Sequence, residues 1–76
     1  MMLFRTISGR HTVQRIITAK RDASGQLVGY DVSEERFQDG VHRIVDRQTI
    51  APEDIDEYVR EWRARGYHSV GTFPRV

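Results

Sequence analysis

The chain has 76 residues, no cysteine, and 12 basic against 11 acidic residues, which leaves a formal net charge of +1. A chain of this length makes a single domain with a small core and little room for a deep catalytic cavity. The lack of cysteine excludes disulfides and thiolate metal sites. The near-neutral charge excludes a global attraction to nucleic acid.

The sequence carries no feature of an exported or membrane protein. Its first residues lack the apolar run of a secretory signal, and no stretch is long and apolar enough to span a bilayer. We therefore expect a cytoplasmic protein with no membrane partner.

Charge is unevenly distributed along the chain. Residues 1–21 contain five basic residues and no acidic one, whereas residues 22–50 contain six acidic residues and three arginines. This basic N-terminal segment is a candidate contact for phosphate groups.

Residues 1–8 are ambiguous. Leu3, Phe4 and Ile7 suit a further strand that turns at Ser8 and Gly9. They also suit a swapped strand that pairs with a second copy of the chain, and equally a flexible N-terminal arm.

Residues 12–21, 26–37 and 41–50 predict three antiparallel strands, because they are rich in β-branched and aromatic residues. Two turn sequences separate them, Asp-Ala-Ser-Gly at residues 22–25 and Gln-Asp-Gly at residues 38–40.

Charge favours one register for the second hairpin. A two-residue Asp-Gly loop would place Arg36 opposite Arg43, and such a like-charge pair destabilises a sheet. A three-residue loop with Gly40 in a left-handed bulge position places Glu35 opposite Arg43 instead. We therefore predict the three-residue loop.

This register assigns each side chain to a face of the sheet. It puts Phe37 opposite Val41 and Asp31 opposite Arg47. The expected core face consists of Val13, Ile17, Ala19, Val28, Tyr30, Val32, Ile44 and Ile50. The expected outer face consists of Gln14, Ile16, Thr18, Lys20, Asp31, Phe37, Val41, Arg43, Val45 and Arg47.

Residues 52–65 predict a helix. Pro52 suits its first position, acidic residues crowd the first turn, and arginines occupy the last. An apolar stripe at helical spacing would pack on the core face, and it comprises Ile55, Tyr58, Val59 and Trp62. Gly66 is placed to end the helix in a left-handed conformation, with Tyr67 packed back on the helix.

The predicted fold is α+β: an antiparallel sheet of three strands, or four if residues 1–8 join it, with the C-terminal helix packed on one face. Residues 69–76 contain Gly71 and Pro74 and are expected to form an irregular tail.

No motif for catalysis, metal binding or a cofactor is present. The three histidines lie in separate segments without metal-ligand spacing, and no serine sits in a nucleophile motif. We therefore expect a non-catalytic protein that needs no metal and no cofactor.

The leading functional prediction is a small binding or regulatory module that binds DNA or RNA. Basic residues of the N-terminal segment and the outer face would contact phosphates, and one aromatic ring would stack on a base. These residues are Arg10, Arg15, Lys20, Arg21, Phe37, Arg43 and Arg47.

The alternative is a protein-interaction module, with either another protein or a second copy of the chain as the partner. Apolar residues on the outer face would form the interface. The candidates are Ile16, Phe37, Val41 and Val45.

Overall fold

The computed structural model describes residues 1–71, which form an antiparallel sheet and one C-terminal helix, an α+β fold. The elements in chain order are β1 (Met2–Ser8), β2 (His11–Arg21), β3 (Leu27–Gln38), β4 (Val41–Ile50), a 3₁₀ turn (Pro52–Asp54), α1 (Ile55–Ala64) and β5 (His68–Val70). The predicted fold class is confirmed, but the sheet within residues 1–71 has five strands rather than three or four.

The strands lie in the order β4-β3-β2-β1-β5, and each neighbouring pair is antiparallel. Residues 2–8 form a strand because they pair along most of their length with β2. The expectation of an irregular tail from residue 69 is wrong for its first part, because His68–Val70 pairs with the outer edge of β1. Residues 72–76 of that predicted tail lie outside the described residues.

Successive side chains of a strand point to opposite faces of the sheet. We call the face that α1 partly covers the helix-side face. We call the other the open face, because no element within residues 1–71 packs on it.

The core lies between α1 and the helix-side face. It contains Leu3, Ile17, Tyr30, Val32, Ile55 and Val59, with Ala19, Ile50 and Trp62 among the side chains packed against it. Burying each large apolar side chain contributes about 1.5–3 kcal/mol relative to leaving it exposed. The predicted packing of the helix stripe on this sheet face is confirmed.

The helix ends as its sequence predicts. Gly66 adopts a φ of 91°, and the backbone N–H of Tyr67 donates to the carbonyl of Trp62 at 3.2 Å. The Tyr67 ring then packs edge-on against Trp62, with 5.0 Å between the ring centroids. Within residues 1–71 no helix is long and apolar enough to cross a membrane.

The predicted register of the β3–β4 hairpin is wrong. Its loop has two residues, Asp39 with a φ of 51° and Gly40 with a φ of 80°, so that Arg36 does lie opposite Arg43. Positive φ at both positions is the requirement of the two-residue turn that Asp-Gly favours. A like-charge cross-strand pair costs at most about 1 kcal/mol, so the turn preference outweighs it. Phe37 consequently faces His42 rather than Val41.

A β-bulge in β4 then changes the register. Glu35 pairs with Ile44 and Glu34 with Asp46, which leaves Val45 as the extra residue. Because of this insertion, Ile50 still reaches the core and Arg47 still lies on the open face, as predicted. The residues before the bulge were assigned to the wrong faces: Arg43, Val41 and Val45 lie on the helix-side face, and Ile44 lies on the open face with 49% of its surface exposed.

A second irregularity removes Val28 from the predicted core. Lys20 pairs with Gly29 and Arg21 with Leu27, so Val28 has no partner on β2. Its side chain is consequently exposed. Asp31 also has a different neighbour from the predicted one, since it faces Thr49 and accepts a hydrogen bond from the Thr49 hydroxyl at 3.1 Å.

Replacing Gly40 with alanine tests the two-residue turn. A side chain at a φ of 80° is strained, so Gly40→Ala should lower the free energy of unfolding by about 1–2 kcal/mol. Urea denaturation followed by circular dichroism measures this change. Gly9→Ala is the matched control, because an added Cβ meets no atom within 4 Å at either glycine but only Gly40 has a positive φ. Equal stability of the Gly40→Ala variant and the wild type would contradict the assigned turn.

Candidate nucleic-acid interface

Arg15, one of the predicted phosphate contacts, is buried with only 6% of its surface exposed. It lies on the helix-side face, opposite Glu34, whose Oε1 accepts a hydrogen bond from Arg15 Nη2 at 2.7 Å. The guanidinium also packs over the Trp62 ring at 3.6 Å from its centroid. Arg15 therefore connects the sheet to α1 and is not available to a phosphate, which corrects the sequence-based prediction.

Tyr58 completes this buried contact. Its hydroxyl accepts a hydrogen bond from Arg15 Nη1 at 2.7 Å and another from Gln48 Nε2 at 3.1 Å. Burial raises the pKa of the Tyr58 hydroxyl, and the nearby Arg15 charge opposes that shift. Tyr58 is therefore a neutral acceptor that joins α1 to β2 and β4.

Lys20 and Arg21 lie at the far end of the sheet from the β3–β4 loop. They end β2, and Arg21 Nη1 donates to the carbonyl of Gly25 in the following turn at 3.0 Å. Acidic residues of the neighbouring turn and of the start of the helix occupy the same end, namely Asp22, Glu53, Asp54, Asp56 and Glu57. This end of the molecule is unsuited to a polyanion.

The remaining predicted contacts do not share one face. Phe37 and Arg47 lie on the open face, where Arg47 faces Ser33. Arg43 lies on the helix-side face, and Arg10 lies in the β1–β2 turn. The seven residues chosen from the sequence therefore do not form a single surface.

A different set of arginines does come together on the helix-side face. The register places Arg5 opposite Val13, Val13 opposite Arg36, and Arg36 opposite Arg43. We call Arg5, Arg36 and Arg43 the arginine row. With neighbouring strands about 4.8 Å apart, the row spans about 14 Å across β1 to β4.

Two carboxylates, Glu34 and Asp39, line the same depression as Arg36 and Arg43. Glu34 Oε2 lies 3.6 Å from Arg36 Nη2, but Glu34 Oε1 already accepts a hydrogen bond from Arg15 Nη2 at 2.7 Å. Arg43 makes no ion pair with any residue in the described range 1–71, and Arg5 donates to the carbonyl of Arg65 at 3.3 Å. Arg10 lies at the same end of the sheet, beside the β3–β4 loop, because its carbonyl accepts a hydrogen bond from the Asp39 N–H.

An aromatic pair occupies the same end of the sheet on the open face. Phe37 and His42 face each other, and their rings stack with centroids 4.4 Å apart and planes 3° from parallel. His42 Nε2 lies 2.9 Å from Glu35 Oε1, and the other oxygen of Glu35 accepts from Gln14 Nε2 at 3.2 Å. We call Phe37 and His42 the ring pair.

The alternative protein interface is also divided between the faces. Ile16 and Phe37 lie on the open face, whereas Val41 and Val45 lie on the helix-side face. The apolar residues that do adjoin one another are on the open face at the β1 and β5 side, where Met2 faces both Ile16 and Val70. Phe4 is the next open-face residue of β1 after Met2, and it extends this group.

Sequence reasoning missed Arg5, Arg36 and His42. The signal that could have found Arg36 and His42 is the Asp-Gly dipeptide, because a two-residue loop pairs Arg36 with Arg43 and Phe37 with His42, whereas Arg5 depends on the pairing of β1 with β2. Within residues 1–71 no three histidine, aspartate or glutamate side chains group so that they could hold a metal ion. No protein-family model, no curated protein and no solved structure matches the chain.

Replacing Arg15 tests whether it is a buried structural cation. Arg15→Met removes the close partner of the buried Glu34 carboxylate and leaves only Arg36, 3.6 Å away, so the free energy of unfolding should fall by about 3 kcal/mol, the lower end of the range for breaking a buried pair. The double variant Arg15→Met/Glu34→Leu should recover most of that loss, because it removes both charges. Chemical denaturation of the three proteins measures the difference. A double variant no more stable than Arg15→Met would show that the two charges are not coupled.

Proposed function

We propose that this chain is a small non-catalytic module that binds nucleic acid through the arginine row, with Arg10 as a further phosphate contact. The observation that carries the proposal is the facing pair of Arg36 and Arg43 on the part of the helix-side face that α1 leaves uncovered. Guanidinium groups bind phosphate oxygens through paired hydrogen bonds.

The surroundings of the row support an anionic ligand. Two positive charges placed opposite each other repel, and a phosphate between them would convert that repulsion into attraction. Val41 and Val45 line the same shallow depression as Arg36 and Arg43. Both valine side chains are about half exposed, so the depression is open to solvent and a phosphate can reach the arginines.

The distribution of charge across the molecule supports the same end as the contact surface. Basic residues concentrate near the β3–β4 loop, and acidic residues concentrate near the start of α1. Lys20 and Arg21 lie at the acidic end and Asp39 at the basic one, so the separation is partial, and an excess of positive charge at one end orients the molecule in the field of a polyanion. The arginine row would then face the nucleic acid as the two molecules approach each other.

The double variant Arg36→Gln/Arg43→Gln tests the proposal. For binding to a short oligothymidylate or a mixed-sequence duplex, the slope of log affinity against log salt concentration should become shallower. The expected change is about 1.4 for a single strand and about 1.8 for a duplex, because each lost phosphate contact contributes about 0.7 or 0.9. Fluorescence anisotropy at several salt concentrations measures the slope.

The matched control is Lys20→Gln/Arg21→Gln, which removes the same charge at the opposite end of the sheet. It should leave the slope within experimental error of the wild-type value. If the two double variants weaken binding equally, the arginine row is not the contact surface. If the wild-type chain binds neither oligonucleotide at low salt, the proposed function is wrong.

A second candidate function is self-association through the open face. The specific observation is the adjoining group of Met2, Phe4, Ile16 and Val70 on a face that no element within residues 1–71 covers. The two larger dimensions of the molecule are 42 and 24 Å, and a rectangle of that size, about 1,000 Å², exceeds the roughly 800 Å² that each partner buries in a stable interface. A second copy is therefore a suitable occupant by size.

Val70→Lys tests this second candidate. Val70 is 52% exposed, so a lysine there should leave the fold intact but introduce an unpaired charge into the interface. Sedimentation velocity should show the wild-type chain at about twice the 8.9 kDa monomer mass and the variant at the monomer mass. Val28→Lys, at a valine of similar exposure far from the group, is the control. A monomeric wild-type chain would rule out this candidate.

A further inference from the structure

We propose that the nucleic acid bound by this chain is single-stranded and that one of its bases stacks on the outer side of the His42 ring. This inference rests on the proposed function and adds to it the ligand class and a base-binding site. The base would extend the ring pair from two stacked rings to three.

The position of the ring pair at the edge of the sheet carries the inference. Phe37 lies on β3 and His42 on β4, the last strand of the sheet on that side. Because the two rings are within 3° of parallel and Phe37 lies on the inner strand β3, Phe37 covers one side of the His42 ring and the other side faces away from β3. Within residues 1–71 no further strand lies beyond β4.

The His42 ring is held in place before any ligand arrives. Its Nε2 lies 2.9 Å from Glu35 Oε1, and the Glu35 side chain is only 12% exposed, whereas that of His42 is 47% exposed. Gln14 fixes the second oxygen of the same carboxylate. An exposed ring that is already oriented loses little conformational freedom when a base stacks on it.

The geometry favours a single strand over a duplex. Bases within a duplex are stacked on both sides and present only their edges in the grooves. An unpaired base has a free ring face, and stacking on aromatic side chains is the usual way in which single strands are bound without sequence preference.

The edge strand carries one arginine next to His42 and a second arginine five residues after His42. Arg43 follows His42 in sequence and lies on the helix-side face with Arg36, while Arg47 lies on the open face. A strand that crosses the edge of β4 beside His42 would pass between these positive charges. A single strand that follows this path would therefore make the phosphate contacts and the base stack together.

The test compares His42→Ala, His42→Phe and His68→Ala, with binding to a short oligothymidylate measured by fluorescence anisotropy at low salt. His42→Ala should weaken binding by about 5- to 150-fold, the range for loss of one base–aromatic stack. His42→Phe should restore most of the affinity, because it keeps the ring and loses only the contact with Glu35. Amide NMR spectra confirm that each variant is folded.

His68→Ala is the matched control, since His68 also contacts a phenylalanine, Phe4, but lies at the opposite edge of the sheet. It should bind as the wild type does. The oligothymidylate should also bind more tightly than a blunt duplex of the same length. A 2-aminopurine base placed in the strand should lose fluorescence on binding to the wild type and recover it with His42→Ala.

The outcomes separate this inference from the proposed function. If His42→Ala binds as tightly as the wild type while Arg36→Gln/Arg43→Gln binds more weakly, the stacking site is wrong and the arginine row stands. A duplex that binds as tightly as the single strand also overturns the inference. If the wild type binds no oligonucleotide, both proposals fail together.

Discussion

The pairing of β3 with β4 is the constraint on which the described surfaces depend. A two-residue turn at Asp39 and Gly40 fixes the first half of the register, and the bulge at Val45 shifts the second half. Since facing residues of an antiparallel pair share a face, these two local features decide which side chains are buried. The bulge lets Ile50 reach the core while the turn keeps Arg43 beside Arg36. Core and candidate site are thus set by the same hairpin.

The burial of Arg15 shows how a charged residue can replace an apolar one in a small core. Arg15 has the same strand alternation as Val13 and Ile17, and its face could therefore be predicted, but its charge made it a natural choice for a phosphate contact. The sequence of β2 alone does not show which residues would compensate the charge of Arg15. Glu34 lies opposite on another strand, and Trp62 covers the guanidinium from the helix. With both in place, the buried charge is compensated rather than isolated.

Local patterns predicted the parts of the fold that depend on neighbouring residues. The helix, its end at Gly66 and the three long strands follow from periodicity and turn sequences. The short β5 could not be predicted from local sequence, because its three residues form a strand only by pairing with the outer edge of β1. The Val45 bulge has no sequence signal of its own. The candidate site depends on both the bulge and the Asp-Gly turn. The sequence-based prediction gave more weight to a small charge repulsion than to a strong turn preference. It therefore assigned residues 41–45 to the wrong faces of the sheet.

The facing arginines do not by themselves require a ligand, because the turn preference can offset a repulsion of at most about 1 kcal/mol. They do, however, couple binding to the hairpin. An anion that binds Arg36 and Arg43 together binds only the paired register, since the residues face each other in no other one. Ligand binding to the native state alone stabilises that state in proportion to its affinity. The same register that positions the arginine row and the ring pair is therefore the register that a bound polyanion would stabilise, at both faces of the β4 edge at once.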